Sequence, residues 1–221
     1  MRMRKKKWAE PYLQAHTDYA LDNPEENKGK WREVLHGQKL HVEIGSGKGG
    51  YLLAMSNANP ADAWVGIEKD RNAAAVAVRK QLEDEQQPGN RCMIVGEAED
   101  LEKWFAPGEI DVIHLNFSDP WPRKRTHKRR LSAPAFLDSY RKLLAKDGYI
   151  AMKTDNKDLF EDSVICFVNA GYVFMDFSVD FRRNPHPEDA ITEYEQKFMD
   201  LGQPIYQLTA RPCKPAGDML K

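Results

Sequence analysis

A chain of 221 residues with a formal net charge of -1 and about two-fifths apolar residues is sized for one large domain with a real core. That balance excludes a globally basic nucleic-acid binder and a wholly disordered chain, so a polyanion has to be met by local clusters. Three distant cysteines, Cys92, Cys166 and Cys213, and the lack of a long apolar run argue against a disulfide framework, a zinc site, a signal peptide or a membrane span, and for a protein of the reducing cytoplasm.

Residues 1–30 are polar, first basic (Arg2, Arg4, Lys5, Lys6, Lys7) and then acidic, and read as a flexible N-terminal arm before a single domain over 31–221. A short strand is predicted at 39–44, a helix at 51–56 and a second strand at 63–67. A helix over 72–87 places Ala74, Val78 and Leu82 on one face, and Pro88-Gly89 ends it. Strands follow at 91–95 and 110–117, separated by a helix over 98–105. The spacing of Phe136, Leu137, Tyr140 and Leu144 predicts a helix over 133–145, and Asp147-Gly148 a turn into a strand at 149–153. A helix over 157–169, a strand at 172–179, a polar segment over 182–190, a helix over 193–201 and a strand at 205–210 complete the chain. This alternation predicts an α/β, Rossmann-like fold. Its sheet has seven strands, mostly parallel with a terminal antiparallel strand, and helices on both faces.

The first predicted strand runs into Gly45-Ser46-Gly47-Lys48-Gly49-Gly50, which satisfies G-x-G-x-x-G. Glycines there let the backbone turn tightly and approach a ligand, although a tight strand–helix turn alone gives the same pattern. No G-K-[ST] closes the loop, so it is not a Walker A motif. Two acids sharpen the reading. Glu68 ends the second strand, where a carboxylate can take both ribose hydroxyls of an adenosine. Glu43 lies two residues before Gly45; it suits the sulfonium and amino group of S-adenosylmethionine and repels a pyrophosphate. Glu97, just after the third strand, lies where an adenine edge would fall, or else is a helix-start acid.

The run 115–131 combines an acid, Asp119, with the rigid Pro120-Trp121-Pro122 and six cations within 123–130: Arg123, Lys124, Arg125, Lys128, Arg129 and Arg130. Proline fixes φ on both sides of Trp121 and pre-organises the acid. The cations, with no acid among them, fit phosphate binding better than a solvated face. Trp121 suits either stacking on a base or anchoring the loop. The six histidines, His16, His36, His41, His114, His127 and His186, have no ligand spacing, and no metal is assigned.

Together, E-I-G-S-G-K-G, G-I-E-K-D, F-S-D-P-W-P with its basic H-K-R-R-L tail, M-K-T-D-N and T-E-Y-E resemble the bacterial tRNA (guanine-N7)-methyltransferases over about residues 36–201. The resemblance implies a class I methyltransferase fold, S-adenosylmethionine as cofactor, tRNA as partner and a monomer or homodimer. The product is N7-methylguanine in the variable loop. Carried over by position, Glu43, Gly45, Gly47, Glu68, Glu97 and Asp119 line the cofactor site, and Asp119 is also catalytic. Arg123, Asp155, Thr192, Glu193, Tyr194 and Glu195 contact the substrate. Arg125, Thr126, His127, Lys128, Arg129 and Arg130 meet the RNA. Two positions depart from the family pattern: Glu97 stands where Asn or Asp is usual, and Arg123 where Lys is common, keeping the charge but changing the geometry.

Guanine N7 carries a free lone pair, so attack needs no general base. The ring becomes cationic, and a carboxylate at Asp119 or Asp155 can accept from N1–H and N2–H and offset that charge. Two other classes remain open on residues alone. An NAD-dependent oxidoreductase explains the glycines and Glu68 but not Glu43 or the basic run. A non-catalytic RNA-binding protein on the same fold leaves the cofactor acids and Asp119 unexplained.

Overall fold

The structure is a computed structural model that describes residues 5–21, 24–86 and 88–213. Arg2 and Arg4 of the basic N-terminal cluster lie outside the described residues. The strands are β1 Ala20–Leu21, β2 Leu40–Ile44, β3 Ala63–Ile67, β4 Arg91–Ile94, β5 Ile110–Asn116, β6 Leu144–Thr154, β7 Tyr172–Ser178 and β8 Tyr206–Pro212. They form one eight-stranded sheet in the order β1-β4-β3-β2-β5-β6-β8-β7. Only β8 runs antiparallel to its neighbours, β6 and β7. The predicted α/β architecture is therefore present, with eight strands in place of seven.

The helices are α1 Ala9–Ala15, α2 Trp31–Val34, α3 Gly50–Ala58, α4 Arg71–Leu82, α5 Leu101–Trp104, α6 Pro134–Leu143, α7 Lys157–Asn169 and α8 Glu193–Asp200. Local chemistry sets several starts. The Asp70 carboxylate accepts from the N–H groups of Asn72 and Ala73 at the head of α4, and the Asn156 side chain accepts from Leu159 N–H at the head of α7. Proline opens α6, where its missing N–H costs nothing.

The two faces of the sheet differ. One carries Val42, Ile113, Leu115, Ile150 and Met152 and packs on Leu137, Tyr140 and Phe167 of α6 and α7. The other is covered by α1, α3 and α4 through Leu13, Tyr51, Leu52, Ala74 and Val78, and it holds buried polar groups: Glu43, His114, Asn116 and Lys153.

The extra strand comes from the stretch set apart as an arm. Ala9 and Leu13 of α1 are buried in the cluster that holds Ala74 and Val78. Tyr19 O accepts from Met93 N–H at 2.7 Å, which starts β1 beside β4. Glu109 accepts from the backbone N–H of Gly29 and Trp31, and the Trp31 indole donates to Trp104 O at 2.8 Å. A boundary at residue 30 thus runs through continuous packing. The polar composition of 1–30 hid a few apolar anchors, at positions 9, 13 and 20.

His41 and His114 share the polar face, 3.0 Å apart between Nδ1 and Nε2. Tyr51 donates to Asp189 Oδ1 at 2.9 Å, so its oxygen can accept from His114 Nδ1 at 3.3 Å, and His114 Nε2 then accepts from His41. Both rings are neutral in that arrangement. Burial holds His41 down to about 4 and His114 well below the usual imidazole value. A depressed histidine gives stability that is complete above its unfolded value of 6.5 and is lost as pH falls from there toward 4. From His41 alone the expected loss at pH 5 is about 2 kcal/mol relative to pH 7.5. Urea unfolding at the two pH values checks this, and His41→Gln should remove most of its share.

Candidate active site

The sheet order reverses between β2 and β5, and the site lies at the carboxyl ends of these strands, as open α/β sheets dictate. Gly45 and Gly47 follow β2 with φ of 79° and 56°, a backbone region that side chains disfavour. A Cβ built on either would meet nothing within 4 Å, so the loop borders open space. Its floor is tied to β3, with Gly45 N–H and Ser46 N–H donating to Ile67 O at 2.8 and 3.0 Å. Glu68 holds the rim: Oε2 accepts from Gly47 N–H at 2.9 Å and Oε1 from Asp70 N–H at 2.8 Å. Each carboxylate oxygen keeps a further lone pair for a ligand hydroxyl.

Glu43 is buried beneath the loop. Oε1 accepts from Asn116 Nδ2 at 3.0 Å, while Oε2 is buried without a partner among the described residues. Burial raises the carboxyl to about 7. A buried acid with an unused oxygen beside a glycine loop fits a cationic group on a ligand. Glu97 lies beyond β4 and is exposed. It follows Gly96, which has no room for a side chain because a Cβ there would stand 2.4 Å from the Trp104 ring.

The second half of the site is the turn after β5. Phe117 and Trp121, on either side of Asp119, have φ of 51° and 41°, strained values that cluster at functional sites. The turn is held from outside. Phe117 N–H donates to Lys153 O at 2.8 Å, and Arg130 donates from Nε to Pro120 O at 2.8 Å and from NH1 to Asp162 at 2.7 Å. Asp119 itself is exposed. Trp121 sits between cations, with Arg129 at 5.0 Å and Lys69 at 5.9 Å from its ring.

The third part is the head of α8. Thr192 caps it, accepting from Glu195 N–H at 2.9 Å. Tyr194 lays its ring 5.5 Å from that of Phe117. Its phenol is pushed up by burial and then by the charges of Asp155 and Asp119. Asp155, at the end of β6, is itself raised by burial. Glu193 reaches across the glycine loop to Lys80 at 2.6 Å and Lys48 at 3.7 Å.

Two residues assigned from the sequence are occupied elsewhere. Glu195 is fully buried, with its oxygens on Lys153 and Arg182; this corrects its placement as a contact to the base. Arg130 is 3% exposed and staples the proline turn, which corrects its placement on the RNA surface. His127 faces Asp162 at 3.8 Å, and the Thr126 hydroxyl donates to Arg123 O at 2.7 Å. Arg123, Lys124, Arg125, Lys128 and Arg129 are exposed, on and beside a 3-10 turn over Lys124–Arg129. None of these five has a carboxylate within 4.0 Å among the described residues. Asn116, Lys153, Arg182 and Asp189 were not anticipated. Among the described residues no group of three or more His, Cys, Asp or Glu side chains could hold a metal ion, and no helix is long and apolar enough to cross a membrane.

Residues 37–208 match a family model, Methyltransf_4, described as "Putative methyltransferase". The tRNA (guanine-N(7)-)-methyltransferase of Limosilactobacillus reuteri (strain DSM 20016) is 42% identical over 212 residues, 95% of this chain and 99% of that one. The enzyme of the same name from Geobacillus sp. (strain WCH70) is 43% identical over 208 residues, 94% of each chain. The chain belongs to the tRNA (guanine-N(7)-)-methyltransferase family. In fold it also matches a solved antibiotic-related methyltransferase with a TM-score of 0.59 at 14% identity, covering 80% of this chain and 89% of that one. Members of this methyltransferase family use S-adenosylmethionine, and the open glycine cradle, the unused Glu43 oxygen and the free lone pairs of Glu68 fit that cofactor.

Proposed function

We propose that the protein methylates guanine N7 in tRNA, in the cytoplasm, and that the three parts of the site divide the work. The observation that carries this reading is the turn after β5, where Phe117 and Trp121 flank Asp119 with φ of 51° and 41° and the Tyr194 ring packs 5.5 Å from that of Phe117. When bound, S-adenosylmethionine supplies an electrophilic methyl group on a sulfonium. Glu43 faces its cationic end, Glu68 takes the ribose hydroxyls, and Glu97 lies on the adenine side. Asp119 and Asp155 accept from the guanine N1–H and N2–H and offset the charge that grows on the ring. Thr192, Glu193 and Tyr194 shape the wall opposite the cofactor. No side chain has to remove a proton, so the rate comes from positioning and from fixed charge. The variable-loop guanine is the proposed target.

The exposed cations at 123–129 hold the phosphate backbone. Replacing Arg125, Lys128 and Arg129 with Ala should weaken tRNA binding and lower the slope of log K against log salt by about 2 to 3, roughly one for each cation removed. S-adenosylhomocysteine affinity should not change. Titrations at several salt concentrations read both.

Labelled S-adenosylmethionine, an unmodified tRNA transcript and the protein test the function. Label should enter the tRNA, and S-adenosylhomocysteine but not NAD should raise Tm. A Tm response to NAD with no label transfer would favour an oxidoreductase. Binding of tRNA without any response to S-adenosylhomocysteine would favour a non-catalytic binder.

A further inference from the structure

Behind the site lies a buried square of four charges. Lys153 Nζ, from β6, meets Asp189 Oδ2 at 2.6 Å and Glu195 Oε2 at 3.0 Å. Arg182 closes the square from the other side. Its Nε donates to Glu195 Oε1 at 2.5 Å, and its NH2 to Asp189 Oδ2 at 2.5 Å. NH1 also reaches the Asp189 carbonyl at 3.3 Å. The side chains of Lys153, Arg182, Asp189 and Glu195 are 5%, 7%, 16% and 0% exposed.

Two cations and two anions balance, but removing four charges from water is costly. A well-packed apolar set of the same volume stabilises a fold as well or better. Stability is therefore a poor reason for the cluster. Its geometry offers a better one. The planar fork of Arg182 holds two points of one segment, Asp189 and Glu195, at fixed spacing. Lys153 fixes both to β6, the strand that leads to Asp155, and its carbonyl holds Phe117, two residues before Asp119. Thr192, Glu193 and Tyr194 lie between the two held points. The base-facing wall, Asp155 and Asp119 are thus registered to one another through this cluster.

We infer that Arg182 is a positioning residue for methyl transfer: its fork sets residues 192–194 against Asp155 and Asp119 without touching cofactor or base. This rests on the function proposed above. Arg182→Lys separates charge from fork, since an ammonium keeps the balance of charges but cannot span both carboxylates in one plane. In the full chain with an unmodified tRNA transcript and saturating S-adenosylmethionine, Arg182→Lys should lower kcat by about tenfold or more, because small misplacements of reacting groups are costly. The tRNA KM should stay within about twofold, since phosphate contacts dominate it. S-adenosylhomocysteine should bind at one site per chain with unchanged affinity.

A merely structural role predicts something else: fewer binding sites and a lower Tm, with the surviving sites turning over at the wild-type rate. That result overturns the inference. Should Arg182→Lys fail to fold, Asp189→Asn removes half of the fork's charge partner at constant shape. It should show the same split, with a smaller loss of kcat; an unchanged kcat per binding site overturns the inference there too. Tyr194→Ala serves as the control. If it also leaves kcat unchanged, the base-site reading fails and the inference falls with it. If Tyr194→Ala lowers kcat while Arg182→Lys does not, only the positioning role is lost.

Discussion

Asp119→Asn should lower kcat by about a hundredfold while leaving tRNA affinity within about twofold. The size follows from losing one pre-placed charged acceptor at a developing charge, a change that costs enzymes about 10² to 10³ in turnover. Asparagine keeps the volume and one acceptor oxygen, so the turn at Phe117 to Trp121 has no reason to reorganise. The strain there is held by Arg130 and Lys153, neither of which touches the Asp119 carboxylate. Affinity is spared because phosphates dominate RNA binding. Single-turnover kinetics with saturating enzyme separate the two effects. Full turnover in the variant would remove any electrostatic role for Asp119 and leave Asp155 as the group that offsets the ring's charge.

Glu43→Gln should stabilise the ligand-free protein and damage cofactor binding together. Burial raises the Glu43 carboxyl from 4.5 to about 7. For a raised acid the sign is fixed: stability is greatest below the unfolded value and is lost as pH rises from 4.5 through 7. Above pH 8 the buried charge therefore costs about 3 kcal/mol. A neutral isostere avoids that cost, so Glu43→Gln should raise Tm at pH 8 and have little effect at pH 5. The same charge is what a sulfonium and an ammonium need. Between pH 8 and pH 6 the ionised fraction of Glu43 falls by about tenfold, and wild-type affinity for S-adenosylmethionine should fall with it. In Glu43→Gln the affinity should be weak and free of this pH dependence. Saturating kcat should not follow the same curve, because no proton leaves N7. Calorimetric titrations and thermal melts at pH 6 and 8 measure both sides. A variant that binds as well as wild type at pH 8 would show that Glu43 does not face the cofactor's cations.

Much of this was legible in the sequence, and the parts that were not share a cause. The parallel strands at 40–44, 63–67 and 110–116 are short apolar runs ended by glycines or acids, and such patterns are local. So are the glycine loop, Glu68 and Asp119. The strand at Ala20–Leu21 is too short to show a period. Asp147-Gly148 reads as a turn but lies inside β6. A Cβ on Gly148 would stand 2.9 Å from Ile110 O and 3.0 Å from the backbone N and O of Ala145, and the register with β5 shifts there, so the chain does turn at this point, within the bounds of the strand.

The acids of T-E-Y-E look alike in the sequence and do different things. Glu193 stays exposed on the glycine-loop side, while Glu195 is buried on Lys153 and Arg182, residues 42 and 13 positions away. One local signal did distinguish them. Thr192-x-x-Glu195 is a capping box, which turns the fourth residue back toward the helix start. Arg130 carries no such signal. It is the last of six cations, and only the fold brings Asp162 to it.

The central claim is the atom that receives the methyl group. Unmodified tRNA transcript, incubated with the protein and S-adenosylmethionine and then treated with borohydride and aniline, should break at one guanosine of the variable loop. The break should vanish with Asp119→Ala on the same transcript. Label in the tRNA with no aniline-sensitive break, or a break that Asp119→Ala leaves intact, would contradict the account.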